Sequence, residues 1–359
     1  MKTKRSMKIR SANRAALSLV ALVLWATIPA VSCPMCLGGR TISISAQELV
    51  YAGRSVLALP DSNGTTFKVV EVIKGDTPNG TVISEKVLKA DPINVRGSKL
   101  PLLLIRDDSW DNWVNFGPID SARAPLLRKF AATTRTSEMD PAEWPSHVAS
   151  FLPYLDSPEP MIATIADAEL SSAPYSALRT LKPKLDAESL RKSLADPKLA
   201  NREPLFIILL GISGDKQSAR SFQKRIEQSR LSKDSTSLGP LLAAMLEIRG
   251  NTYVSWIEKN YLLDPQRSAQ ELDAALLALG EHGKADDAVS RNRVVVAYRF
   301  FLSANPEKAG LVASLLADWQ RWEFTTSFKS LIESRVTLPS SERYAVLDFI
   351  LRSQQAAKN

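Results

Sequence analysis

Two cysteines, two histidines and a few adjacent acids are the side chains in this 359-residue chain best suited to chemistry. Cys33-Pro-Met-Cys36 has the spacing of a pair that closes a local disulfide, cycles as a dithiol or gives two thiolates to a metal. A fourth reading is lipidation of Cys33, since Ala-Val-Ser-Cys loosely follows a lipoprotein box; an acyl chain would then tether the protein to a membrane. Thioredoxin-type chemistry wants a core strand ahead of the first thiol, and none can precede Cys33 if a leader is cut there. Haem attachment wants a histidine where Leu37 stands, and a zinc site needs two further ligands. His147 and His282 lie far from the cysteines and from each other, so the sequence assigns no metal, no cofactor and no catalytic residue.

Asp286-Asp287, or Glu281 beside His282, could act as acid and base, but adjacent acids near a helix start more often serve the helix dipole. There is no Gly-x-Ser-x-Gly, no His-Glu-x-x-His and no phosphate-cradling glycine loop. Trp319, Trp322 and Phe324 cluster around Arg321, either as core with a stacked guanidinium or as a surface aromatic patch.

The elements that must position these residues begin with a leader. Residues 1–32 combine a basic stretch, an apolar run at 15–28, and small residues Ala30 and Ser32 at −3 and −1 before Cys33, the three parts of a secretory signal. The formal charge is +8, but Lys2, Lys4, Arg5, Lys8, Arg10 and Arg14 all fall in that segment, so the mature chain would carry only +2. No later stretch concentrates Lys and Arg with interleaved aromatics, so nucleic acid is not an expected partner. The expected location is periplasmic or extracellular, or lipid-anchored to the envelope if Cys33 is acylated. In an oxidising compartment two cysteines normally pair.

Ser45 begins a short helix as its cap. Strand patterns follow at 55–60, 67–74, 81–88, 99–106 and 113–116, with Asn63-Gly64 and Asn79-Gly80 as hairpin signals. Four or five antiparallel strands without interleaved helices predict a small barrel or sandwich over 33–135. Residues 136–145 read as a linker, and from there to 354 the apolar period becomes 3.6. The unbroken apolar run at 205–212 is expected to be a helix, capped by Asn201, with Pro204 in its first turn and Gly214 as its stop. The grammar repeats: Gly214 and Gly250 are 36 residues apart and Gly283 follows 33 later, each expected to end the first helix of a pair. The fold class predicted is therefore α+β multidomain, an antiparallel barrel or sandwich followed by a helical solenoid and a polar tail at 355–359.

The β segment, with a cysteine pair and a short helix ahead of VLALP and FKVVEVIKGD, resembles the OB-like domain of netrins and metalloproteinase inhibitors. It lacks their further cysteines, so inhibitory activity is not implied. Taken with Tyr154-Leu-Asp-Ser-Pro-Glu-Pro, Leu210-Gly-Ile-Ser-Gly-Asp and Asp318-Trp-Gln-Arg-Trp-Glu, nearly the whole mature chain resembles a group of exported bacterial proteins. These carry an N-terminal Cys-Pro-x-Cys, a small β domain and HEAT-like repeats. The resemblance implies architecture and compartment but no reaction. The function expected is non-enzymatic binding of a protein or peptide on a helical-repeat surface; the alternative is a thiol-disulfide or metal-active protein using Cys33 and Cys36.

Overall fold

The computed structural model describes residues 34–37, 44–89, 98–107, 112–232, 234–334 and 336–358. The expected leader and Cys33 lie outside them. Residues from Ser32 onward belong to one compact unit.

After a four-residue helix α1 (Pro34–Leu37) comes α2 (Ala46–Tyr51), begun by a capping box in which Ser45 and Glu48 satisfy each other's backbone N–H groups. The strands are β1 (Arg54–Pro60), β2 (Phe67–Lys74), β3 (Val82–Ile83), β4 (Val87–Lys89), β5 (Leu102–Arg106) and β6 (Trp113–Pro118). They form one sheet in the order β3-β2-β1-β5-β6-β4. All neighbours are antiparallel except β4 and β6, which run parallel, so the sheet is mixed rather than antiparallel as expected.

The difference has a local origin. The segment expected as one strand at 81–88 breaks at 84–86 into β3 and β4, which occupy opposite edges of the sheet. Laid flat, edges five strand spacings apart would be separated by roughly 24 Å. The four residue steps from Ile83 to Val87 reach only about 14 Å. The sheet must therefore curl, and it does so into a half-barrel. Curling gives it two buried faces. Val56, Ala58, Val69, Leu102, Leu104 and Trp113 form a small inner core, while Leu57, Ile73, Leu103 and Ile105 join the main core. Alternate residues of β5 thus face different cores, which explains why that strand is apolar throughout.

Both hairpin signals mark real reversals, though not the two-residue turn expected. Gly64 and Gly80 have positive φ, but Asn63 and Asn79 do not. The first loop is held instead by the Asp61 carboxylate, which accepts from Thr65 N–H at 2.7 Å and Thr66 N–H at 3.2 Å. Those bonds, Thr65 first, pull its pKa below the usual carboxylate value.

The remainder is helical: α3 (Ala124–Ala131), α4 (Trp144–Phe151), α5 (Pro160–Ser172), α6 (Tyr175–Arg179), α7 (Ala187–Ala195), α8 (Glu203–Ser213), α9 (Ala219–Ser232), α10 (Leu238–Arg249), α11 (Asn251–Ile257), α12 (Ala269–Ala285), α13 (Arg291–Ala304), α14 (Gly310–Asp318), α15 (Thr325–Glu333) and α16 (Ser340–Ala356). A π-helical turn, Glu258–Leu262, extends α11. Within the segment read as a linker, residues 136–138 form a 3-10 turn, and Trp144, still inside that segment, begins α4 and is buried in the core. Helix α8 packs on α10, α10 on α12, α12 on α14 and α14 on α16, with α9, α13 and α15 laid against this layer.

Position 202, not Asn201, precedes α8, because residues 197–202 already turn as a 3-10 helix begun at Asp196. Pro204 is in the first turn of α8, and Gly214 ends it in the left-handed region at φ 77°. Gly250 likewise ends α10, but Gly283 lies inside α12, which runs on until Asp286 adopts φ 53°. Gly283 is small for a packing reason: a Cβ there would fall 2.3 Å from the Trp319 ring.

Candidate functional site

The described part of the cysteine motif is α1. Helix α1 packs against α5, α8, α10 and α12. Met35 is 2% exposed and Cys36 is fully enclosed. Gly239 of α10 faces this helix, and a Cβ added there would lie 3.7 Å from the Met35 side chain. This placement accounts for α8, whose residues 204–212 are all buried. With α7 and α10 on its flanks, α1 and α5 close the remaining sides. No metal-capable group of three or more ligand side chains occurs among the described residues.

The two histidines belong to separate buried networks. His282 projects inward from α12, and its Nε2 lies 3.0 Å from the Ala243 carbonyl and 3.2 Å from the Tyr175 hydroxyl. A carbonyl only accepts, so Nε2 bears the proton. Tyr175 in turn donates to Glu247 Oε1 at 3.0 Å, and Arg179 Nε donates to the same carboxylate at 2.6 Å. Arg179 also reaches Asp287 at 2.8 Å. Desolvation drives the His282 pKa down to about 3 and pushes the Tyr175 phenol well above its usual value. Both rings are neutral at pH 7. Tyr175 and His282 are buried at its centre while Asp287 is exposed at its edge, and the network bonds α6 to α10 and α12.

His147 lies on α4, with Nε2 2.8 Å from Glu169 Oε2 on α5. The other carboxylate oxygen accepts the Ala46 backbone N–H at 2.9 Å, at the start of α2. Gln47 adds a long contact to Glu169 at 3.5 Å and accepts Thr136 N–H at 3.0 Å. Glu169 is 2% exposed, so one buried carboxylate ties the segment ahead of the sheet to the first long helices after it.

The acids singled out from sequence diverge. Glu281 pairs with Lys284 at 2.7 Å, Asp287 turns to Arg179, and the Asp286 carboxylate accepts Arg291 N–H at 2.6 Å. Of the three aromatics, Phe324 is buried at 4% exposure and so lies outside any surface patch. Trp319 and Trp322 are half-buried: Trp319 stacks on Tyr298 with centroids 6.1 Å apart, and Trp322 meets the edge of Phe349 at 5.4 Å. The stacked guanidiniums are those of Arg291 on Trp319 and Arg299 on Phe324, while Arg321 bonds Asn292 and Glu323. Tyr175, Arg179 and Glu247 were missed from sequence. Their one visible signal is Glu247, the single acid in the apolar run of α10.

Open concavities lie elsewhere. A cleft of about 390 Å³ between α4 and α7 has Leu152, Leu155, Leu185 and Leu190 in its wall and Asp156 and Lys184 among its polar groups. Another, of about 310 Å³, separates α12 from α14 beside Leu276, Leu315 and Tyr298, with Asp273 among its lining residues. Burial raises the Asp273 pKa above the ordinary carboxylate value. Among the described residues no helix is long and apolar enough to cross a membrane. Comparison with protein-family models, with characterised proteins and with solved structures finds no match for this chain.

Proposed function

We propose that this is an exported, non-enzymatic binding or scaffold protein of the Cys-Pro-x-Cys group, with an OB-like β domain and a HEAT-like solenoid that engages a protein or peptide. On this reading Cys33 and Cys36 form a structural disulfide. The observation that carries it is the side-by-side succession α8, α10, α12, α14, α16, each helix packed on the next. Such a succession offers an extended surface whose shape does the work. Two further observations support it. The ionisable groups with the most suggestive chemistry bond to one another between helices, and apolar side chains remain outside: Val296 and Phe300 on α13 are 44% and 49% exposed, Tyr344 and Leu351 on α16 are 74% and 57%. The leader at 1–32 supports export.

The test places a photo-crosslinking residue at Phe300 or Tyr344 in the leader-bearing chain and irradiates intact cells. The expected result is a mature N-terminus at Cys33 and a discrete crosslinked partner from at least one face. Absence of any crosslink, with a mixed disulfide trapped through Cys33 or Cys36, would favour the thiol-active alternative instead.

A further inference from the structure

A four-residue helix does not hold itself together in water, because nucleating a turn costs more than one turn returns. Yet α1 sits in the middle of the helical layer, touching α5, α8, α10 and α12, with Met35 and Cys36 essentially withdrawn from solvent. Two things can keep it there: burial of Met35, and the covalent closure of Cys36 onto the only other cysteine in the chain, Cys33. The socket would be costly to leave empty. The α8 side chains Leu205 to Leu210 are all completely buried, so removing α1 would expose the part of this apolar helix that α1 covers.

We infer that closure of the Cys33–Cys36 pair is the step that seats α1 in its socket, so that the helical layer completes its packing only in an oxidising compartment. This rests on the structural-disulfide reading above. The chemistry balances simply. The two thiols lose two protons and two electrons as a Sγ–Sγ bond forms, and the acceptor is a disulfide oxidant of the compartment, which is reduced to two thiols. Closing the short ring restricts the unseated segment and favours the compact form that fits among Met35's neighbours. By linkage, the seated helix protects the bond in return, since Cys36 in its socket is out of reach of an attacking thiolate.

The experiment uses the mature chain recovered from the oxidising compartment. Intact mass with alkylation under denaturing conditions counts free thiols, and hydrogen exchange followed by mass spectrometry reads α8 and α10. The oxidised protein should show no free thiol, reduction at least tenfold slower in buffer than in denaturant, and strong protection of α8. After reduction, and equally in Cys33→Ser, amides of α8 and α10 should exchange at least tenfold faster while the far-UV spectrum keeps its helical shape. Cys33→Ser leaves Cys36 able to fill its place, so a change there reports the bond and not a cavity. Met35→Ala, with the pair intact, should loosen the same amides without changing the thiol count. Two free thiols, or an acylated Cys33, would overturn the pairing on which the inference rests. A closed pair whose reduction leaves α8 as protected as before would overturn the seating step alone.

Discussion

His147 faces a carboxylate where α2 meets α4 and α5, whereas His282 faces a phenol and a backbone carbonyl where α6 meets α10 and α12. The first joint is centred on an acid: Glu169 collects a ring nitrogen, a backbone N–H and an amide around one buried group. The second keeps its neutral ring innermost and holds a buried carboxylate of its own, Glu247, in an ion pair with Arg179, which reaches out to the exposed Asp287. Burying a carboxylate is costly unless every lone pair is occupied, so the first joint is specific but brittle. A neutral imidazole loses less on burial, and the second joint pays instead in pH sensitivity.

The comparison can be broken most forcefully at its acid. Glu169→Ala strands the Ala46 N–H and His147 inside the core, and unfolding by denaturant should show a loss of about 3–5 kcal/mol. A loss under about 1 kcal/mol would mean that the joint does not hold α2. The neutral histidine of the second joint is tested by acid. The unfolded chain takes up a proton on His282 below about pH 6.5, whereas the folded chain resists until about pH 3. Stability from this group is therefore complete above pH 6.5 and declines as pH falls from 6.5 toward 3, by about 1.4 kcal/mol per unit. Asp61, Asp215 and Glu323, whose pKa values are lowered, weaken the fold in the same direction. The difference in slope between the parent and His282→Gln, measured by denaturation at several pH values, isolates the histidine.

Smaller effects sharpen the contrast between helix packing and helix ends. A Cβ at Gly211 would lie 2.5 Å from the Ala244 Cα, so Gly211→Ala must push α8 off α10. Overpacking should cost about 1–3 kcal/mol, less whatever helix propensity returns, read as a lowered denaturation midpoint. Ser45→Ala removes half of the capping box on α2 and should cost about 1 kcal/mol in the same assay. If it cost as much as Glu169→Ala, the cap and the buried carboxylate would be acting as one unit.

How much of this was legible in the sequence follows from how local each signal is. Ser45 and Glu48 sit three residues apart and act on the same turn, so the α2 cap could be read directly. The left-handed stop at Gly214 is equally local. Gly283 reads in sequence as a weaker copy of the same stop, yet its smallness answers to Trp319, 36 residues later. The joints were illegible for the same reason: Tyr175 and His282 are 107 residues apart, and neither residue's neighbours reveal the other.

The sequence by itself determined the features whose causes are local: the strand and helix periods, the Ser45 cap and the Gly214 stop, each decided by contacts within a turn or a hairpin. It also determined the leader's three-part pattern and the pairing options of two cysteines. Tertiary structure decided where those elements close upon one another. It sent β3 and β4 to opposite edges and so curled the sheet, placed α1 inside the helical layer, and drew Tyr175, Glu247 and His282 together. Those outcomes depend on which surfaces exclude water jointly, a property of pairs of distant segments that no single stretch carries.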